Sequence, residues 1–299
     1  MKITESNKHE STIIDWLEEF YEIYGKVNSK RNSALVWTGV VRHVSKVAEE
    51  VRKENFGGVQ KEIAYTLCWY LGFLNWCKET NENNEKFKQI NNLEDIIWNK
   101  YPNLCPVCGE KPCVCQKWSV DNLNLEERKA KEENVSQKIK VARFYTPGKP
   151  SSMVLWKEMF RDIYANSIFS SSMGEICFHL LEEIGEVAHE IFMIELMPSG
   201  HVELPERIHN LECEIADVFS WMMALTIKTQ SYFIMLQEFN KEIKSVSDLL
   251  IQEQIEIHDI IWNAYFNGTE LACQHCKHRP CDCTFEFLEQ SYETQKERE

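Results

Sequence analysis

Two pairs of acidic residues have the spacing and the surroundings of a divalent-metal site. Glu183 and Glu186 lie three positions apart, embedded in apolar residues such as Ile184. Glu214 and Asp217 repeat this arrangement further along the chain. Residues three positions apart lie on one face of an α-helix, and burying like charges there is costly unless a cation lies among them. Four carboxylates from two antiparallel helices therefore predict an all-oxygen site for Mg²⁺ or Mn²⁺.

The alternative interpretation is a solvated helix face, where single acid pairs of this spacing are common. Two pairs, each flanked by apolar residues and separated by the length of a helical hairpin, favour the metal site.

Eight of the twelve cysteines form two clusters with the same spacing, C-x2-C-x4-C-x-C. In a reducing compartment this pattern indicates metal sites rather than disulfides. Four thiolates fill a tetrahedral zinc site completely, so we predict two structural Zn²⁺ ions, with an iron–sulfur cluster left open as the alternative. His275 and His278 are then interpreted as neighbours of the second cluster rather than ligands. The predicted ligands are Cys105, Cys108, Cys113 and Cys115, and Cys273, Cys276, Cys281 and Cys283.

The clusters belong to a longer internal repeat. Trp98 and Trp262 occupy the same place in matching segments, Ile-Ile-Trp-Asn-x-Tyr, upstream of the two clusters. Trp69 matches Trp221 at an offset of 152 (221 − 69). Near the start of each copy the offset is 140 (160 − 20), which pairs Phe20, Ile23 and Tyr24 with Phe160, Ile163 and Tyr164. The repeat therefore predicts that the chain consists of two tandem units.

Hydrophobic periodicity of 3.6 residues, without strand-like alternation, predicts an all-α fold. Gly57-Gly58 is expected to separate the second helix from the third. We expect helices near 11–26, 33–54, 58–80 and 86–100, and near 152–168, 170–197, 205–236 and 240–265. We call the short segment that contains each cysteine cluster a knuckle. The predicted organisation is a first unit at 1–115, which ends in a knuckle at 105–115, and a charged linker at 116–150. A second unit follows at 151–283, which ends in a knuckle at 273–283, and then a polar tail at 284–299.

The repeat implies that only the second unit keeps a metal site. Three of the four acids have no acidic counterpart in the first unit, where only Glu62 matches an acid, Glu214. Lys46 is expected to pair with Glu62 in place of the metal, which would leave the first unit catalytically inactive. The other counterparts are Arg42 for Glu182, His43 for Glu183, Lys46 for Glu186 and Tyr65 for Asp217.

The bulk composition limits the functional classes. A net charge of −14 over 299 residues argues against a nonspecific nucleic-acid binder, since that function needs a basic surface. The sequence shows no apolar run long enough for a membrane span and no signal peptide, so we expect a cytoplasmic protein without a membrane partner.

The pattern E-E-x-x-E followed by E-x-x-D resembles the MazG-like superfamily of all-α nucleoside triphosphate pyrophosphohydrolases. Glu182, Glu183, Glu186, Glu214 and Asp217 carry this resemblance. It covers residues 155–265 and extends through the repeat to 15–100. The resemblance implies two tandem MazG-like helical bundles that form an intrachain pseudo-dimer, and a homodimer of the tandem chain as a further expectation.

The resemblance also implies a reaction, in which an NTP or dNTP and water give the monophosphate and pyrophosphate. Glu182, Glu183 and Glu186 would be the catalytic acids of this hydrolase. Around them, His179, Trp221 and Lys228 are candidates for substrate binding, although core packing or a surface role is the simpler interpretation of each.

Two other functions remain open at this stage. One is a non-catalytic nucleotide-sensing module, in which even the second unit only binds nucleotide. The first unit could then be a degenerate sensing pocket, with Arg42, His43 and Lys46 as the basic residues that meet phosphate. The other is a zinc-stabilised interaction module.

Overall fold

The computed structural model describes residues 2–79, 82–115, 125–242 and 256–283. This part of the chain is helical, as the periodicity predicted, and its one β-bridge joins Phe266 and Leu271. None of the described helices has the length and apolarity that a membrane span requires. Short 3-10 segments lie at Glu82–Gln89 and Thr146–Gly148. The α-helices are α1 (Ile13–Asn28), α2 (Ser33–Arg52), α3 (Phe56–Lys78), α4 (Leu93–Lys100), α5 (Leu125–Phe144), α6 (Met153–Ser170), α7 (Met173–Leu196), α8 (Leu204–Glu242) and α9 (Ile257–Tyr265).

The helix starts repeat along the chain because the capping residues repeat. Thr12 and Ser152 cap α1 and α6, so both helices begin at the offset of 140 (153 − 13). Asn32 and Ser172 do the same for α2 and α7. In each case a side-chain oxygen accepts a backbone N–H of the first turn, which is the preferred N-cap arrangement. The two halves of the chain, residues 1–115 and 151–283, therefore share one helix order.

Three helix boundaries differ from the prediction. Gly57-Gly58 does not interrupt a helix but lies in the first turn of α3, because Asn55 accepts the Gly58 N–H and sets the start two residues earlier, at Phe56. The expected helix at 86–100 is broken, since Asn92 caps a separate α4. Part of the helix expected at 240–265 lies outside the described residues, and α9 is its described end.

Four helices, α2, α3, α7 and α8, form the centre of the molecule. The hairpins α2–α3 and α7–α8 pack against each other through α2–α7 and α3–α8 contacts. Hydrogen bonds also cross between the halves. The Trp37 indole donates to the carbonyl of Ile184 at 3.2 Å, and the Tyr70 hydroxyl donates to that of Ile215 at 2.8 Å. The halves thus share one apolar core.

The remaining elements are exchanged between the halves. Helix α4 of the first half packs on α8, and α9 of the second half packs on α3. The two cysteine knuckles follow the same rule: the Cys113 N–H donates to Ile163 of α6, and the Cys281 N–H donates to Ile23 of α1, each at 2.7 Å. Each half is therefore completed by the terminal helix and knuckle of the other.

Candidate metal centre and its surroundings

Helices α7 and α8 bring three of the predicted acids together. Carboxylate oxygens of Glu183, Glu186 and Glu214 all lie within 4.8 Å of one another, and we call these three residues the acid cluster. Glu183 and Glu214 are half-buried, whereas Glu186 is exposed. Apolar residues on the same turns, including Ile184 and Ile215, face the shared core and hold the two helices in register. The three carboxylates could provide several oxygen ligands to one cation, which would reach them from the solvent side, where Glu186 is exposed.

Asp217, the fourth predicted acid, is not within this group. Its carboxylate is held by two residues of the first half: the Lys100 ammonium forms an ion pair with it, and the Tyr101 hydroxyl donates a hydrogen bond to it. Lys100 also donates to the Cys213 carbonyl at 3.2 Å. Burial and Asp217 raise the pKa of Tyr101 well above its usual value, so the phenol keeps its proton.

Burial and mutual repulsion raise pKa values within the acid cluster. Burial, followed by the charges of Asp217 and Glu186, raises the pKa of Glu183 to about 7. Burial also raises the pKa of Glu214 to about 7, although the Lys100 charge opposes the shift. A divalent cation would reverse this effect, because it favours the ionised form of every carboxylate near it.

Binding of Mg²⁺ should therefore strengthen as pH rises through the range around 7. Below about pH 7, the cation must displace the protons of Glu183 and Glu214. The Mg²⁺ affinity should therefore fall roughly tenfold per pH unit for each displaced proton. Without Mg²⁺, these raised pKa values make the folded state lose stability as pH rises from about 4.5 towards 7. Thermal unfolding with and without Mg²⁺ at pH 5.5 and 7.5 measures both effects. An equal stabilisation by Mg²⁺ at the two pH values would contradict the assignment.

The other predicted site residues take different places. His179 stacks on Trp221 with ring centroids 4.6 Å apart, and the Trp221 indole donates to Glu183 at 3.2 Å. Glu182 is exposed and lies 3.3 Å from His179 rather than in the acid cluster. Lys228 is buried and donates to the carbonyl of Phe169 at 3.1 Å. His179 and Trp221 thus border the acids, whereas the Lys228 ammonium is bound at the end of α6.

Sequence reasoning missed Lys100 and Tyr101. Their segment was recognised as part of the repeat, but only the exchange of α4 places it against α8. One signal was present: the second copy has Ala264 where the first has Lys100. A lysine that occurs only in the copy without the acids could have its acidic partner in the other copy, and that partner is Asp217.

The two knuckles have the geometry of tetrahedral thiolate sites. In each one the four sulfurs lie within 4.8 Å of one another. Zinc–sulfur bonds of about 2.3 Å place tetrahedral sulfurs about 3.8 Å apart. The closest pairs fit: Cys105–Cys115 at 3.6 Å, Cys108–Cys113 at 3.9 Å, Cys273–Cys283 at 3.8 Å and Cys276–Cys281 at 3.9 Å. Gly109 and Lys277 take the same left-handed conformation in the two knuckles, with φ of 66° and 61°. The two clusters could each hold one zinc ion.

Loss of the first knuckle and loss of the second should have different effects, because only the first directly follows the segment that contacts Asp217. Cys105→Ser and Cys273→Ser should each lower the zinc content from two ions to one and lower the melting temperature. Only Cys105→Ser should also change the Mg²⁺ affinity, since Cys105 lies four residues after Tyr101. Elemental analysis and unfolding with and without Mg²⁺ measure this, with Cys213→Ser as the control that keeps both zincs. Equal Mg²⁺ affinity in the two knuckle variants would contradict the proposed link.

In the first half, at the position that corresponds to the acid cluster, the short contact of Glu62 differs from the one with Lys46 that the sequence predicted. His43, rather than Lys46, forms the short contact with Glu62, with Nδ1 2.7 Å from Oε2. Tyr65 stands at the position of Asp217, with its ring centroid 5.3 Å from that of His43. Among the described residues of this half, no acid cluster of the kind formed by Glu183, Glu186 and Glu214 occurs.

Comparisons of the chain with protein-family models, with curated proteins and with solved structures find no match.

Proposed function

We propose that the protein is a Mg²⁺-dependent nucleoside triphosphate pyrophosphohydrolase of the MazG-like kind, with its active site in the second half. The observation that carries the proposal is the convergence of Glu183, Glu186 and Glu214 beside Lys100. Clustered carboxylates provide the oxygen ligands that Mg²⁺ prefers, and perturbed pKa values are common at functional sites. The proposed reaction cleaves the bond between the α- and β-phosphates of an NTP or dNTP.

The residues present fit a hard divalent cation. Glu183, Glu186 and Glu214 offer oxygen ligands within one 4.8 Å cluster, and Asp217 would join them when Lys100 moves to the substrate. Mg²⁺, or Mn²⁺ in its place, would neutralise phosphate charge and the charge that develops on the leaving pyrophosphate.

Side chains near the cation site would contact the phosphate, orient Asp217 and accept a proton from the attacking water. Lys100 lies close enough to the acids to contact a phosphate oxygen, and its ammonium is a natural phosphate partner. Tyr101 keeps its proton and orients Asp217. Glu186 is the exposed member of the acid cluster, so a free oxygen of this residue can accept a proton from the attacking water. Glu182 is the second candidate for that role, since it is exposed and lies one residue from Glu183.

A nucleobase would find a stacking surface next to the acids. His179 is exposed and parallel to Trp221, with 15° between the rings. The hydrogen bond from Trp221 to Glu183 ties the position of this surface to the acid cluster. Stacking on aromatic rings tolerates any base, so this arrangement supports binding of nucleotides without choosing among them.

The exchange of α4 and α9 supports two MazG-like units that form a pseudo-dimer within one chain. In this proposal the first half is a scaffold that has lost three acids but delivers Lys100 and Tyr101 to the second half. The cysteines of both knuckles form no disulfide, which favours a reducing compartment, such as the cytoplasm.

The identity of the products tests the proposed bond cleavage. In ³¹P NMR with Mg²⁺ present, an NTP substrate should give equal amounts of monophosphate and pyrophosphate. Formation of a diphosphate and inorganic phosphate would place the attack on the γ-phosphate and contradict the proposal.

A further inference from the structure

The second knuckle carries a further group of metal-binding side chains beside its four-cysteine site. Donor atoms of Cys276, His278 and Asp282 all lie within 4.8 Å of one another, and we call these three residues the outer site. We propose that the outer site binds an additional, exchangeable Zn²⁺ ion, with the Cys276 sulfur bridging to the zinc ion of the four cysteines. The inference does not depend on the proposed hydrolase.

The three side chains supply donor types that zinc prefers. A thiolate, an imidazole and a carboxylate are all common zinc ligands, whereas Mg²⁺ takes oxygen ligands and is disfavoured by the thiolate. Three protein ligands leave the fourth tetrahedral position to water. His278 and Asp282 are also exposed, with 63% and 59% of their side-chain surfaces accessible. An ion held in this way can therefore exchange with zinc in solution, unlike one enclosed by four thiolates.

The separation of two of the donors is close to that in a zinc complex. Nδ1 of His278 and a carboxylate oxygen of Asp282 lie 2.9 Å apart, in a hydrogen bond. Zinc bonds of about 2.0–2.2 Å to nitrogen and oxygen place two such ligands about 3.4 Å apart in tetrahedral geometry. An ion could therefore replace the hydrogen bond after the two atoms separate by about 0.5 Å (3.4 − 2.9), a shift that exposed side chains can make.

Contacts on both sides of His278 hold the loop that carries the outer site. The His278 carbonyl accepts the N–H of Cys273 at 3.1 Å. The next residue, Arg279, forms an ion pair with the buried Glu19 of α1. The Cys281 N–H then donates to a carbonyl of α1 at 2.7 Å. The backbone is therefore fixed before an ion binds, which lowers the entropy cost of bringing the three donors together.

The first knuckle lacks the two outer donors. At the offset of 168 between the knuckles (273 − 105), Glu110 stands at the position of His278 and Val114 at that of Asp282. Glu110 pairs with Lys138 of α5, and Val114 packs against the apolar core. Within the described part of the chain, the first knuckle therefore has no second group of metal-binding donors. Since both knuckles still bring four sulfurs together, His278 and Asp282 are not needed for the four-cysteine geometry.

Titration with Zn²⁺ tests the proposal on the full-length protein, first dialysed until two zinc ions remain per chain, one for each four-cysteine cluster. We expect one further Zn²⁺ to bind reversibly and to raise the melting temperature as the zinc concentration increases. Co²⁺, added to the two-zinc protein, is the spectroscopic probe. It should give a sulfur-to-cobalt charge-transfer band without releasing zinc, because the added ion contacts the Cys276 sulfur. Binding to surface histidines and carboxylates alone would give no such band.

Two variants remove the outer donors one at a time. His278→Ala and Asp282→Asn should each weaken binding of the further ion about tenfold or more, while both tightly bound zinc ions remain. Glu110→Ala, at the matched position of the first knuckle, is the control and should change the affinity less than about twofold. Zinc content and melting temperature are measured for every variant.

The proposal is overturned if no third ion binds, if Co²⁺ binds without the sulfur band, or if Glu110→Ala weakens binding as much as His278→Ala. Loss of a tightly bound zinc ion from both His278→Ala and Asp282→Asn would assign these side chains to the four-cysteine site and would also overturn it. None of these readouts involves a nucleotide, so failure of this inference leaves the proposed hydrolase untouched.

Discussion

Glu214→Gln is expected to lower Mg²⁺-dependent pyrophosphate release at least about a thousandfold, a loss of about 4 kcal/mol of transition-state stabilisation. The substitution removes one of three ligands from the acid cluster while keeping nearly the same volume. It also removes a charge whose pKa is raised to about 7, so without Mg²⁺ the folded protein should not lose stability at pH 7.5. Steady-state release of pyrophosphate and thermal unfolding together measure the effect.

Glu62→Gln is the matched control, because Glu62 occupies the same position in the first half. This variant should keep the rate of pyrophosphate release within a fewfold of the wild type. A comparable loss in both variants would mean that the two halves share catalysis, and an unchanged rate in Glu214→Gln would remove the acid cluster from the mechanism.

Lys100→Ala is expected to lower kcat/KM about a hundredfold, although Lys100 belongs to the half without the acid cluster. A charge-assisted bond to phosphate that strengthens in the transition state accounts for about 2.7 kcal/mol. Asp217 would then lose its ion pair and become free for the cation, so Mg²⁺ should bind more tightly while turnover falls. A purely structural role of Lys100 would not move these two quantities in opposite directions.

Lys88→Ala provides the control for Lys100, since Lys88 lies in the same half and pairs with Glu85 on the surface. It should leave both turnover and Mg²⁺ affinity unchanged. Lys100→Arg should recover part of the activity, because it keeps the positive charge. If Lys100→Ala weakens Mg²⁺ binding instead of strengthening it, the residue supports the fold of the site rather than the substrate.

The features predicted correctly are those set by local spacing. Acids three positions apart share a helix face wherever that helix packs, so Glu183, Glu186 and Glu214 converge once α7 and α8 form a hairpin. The spacing of the cysteines likewise determines the geometry of each knuckle, because its four cysteines lie within eleven residues of the chain, as at 105–115.

The features that were missed depend on contacts across more than a hundred residues. Periodicity shows which face of α4 is apolar but not which helix covers it, so the pairing of Lys100 with Asp217 could not be read from the sequence. The same holds for Glu62, for which Lys46 was the expected partner, whereas the buried His43, one turn away, makes the contact. The break before Leu93 was overlooked because the capping role of Asn92 was not recognised within a polar stretch.

The most direct test of the account is a panel of NTPs and dNTPs incubated with the wild-type protein, with pyrophosphate release measured with and without Mg²⁺. The account predicts release from at least one nucleotide, dependent on Mg²⁺ and lost in Glu183→Gln. No release from any nucleotide, in a folded protein that retains both zinc ions, would contradict the proposed hydrolase and leave nucleotide sensing or zinc-stabilised interaction as the function of the chain.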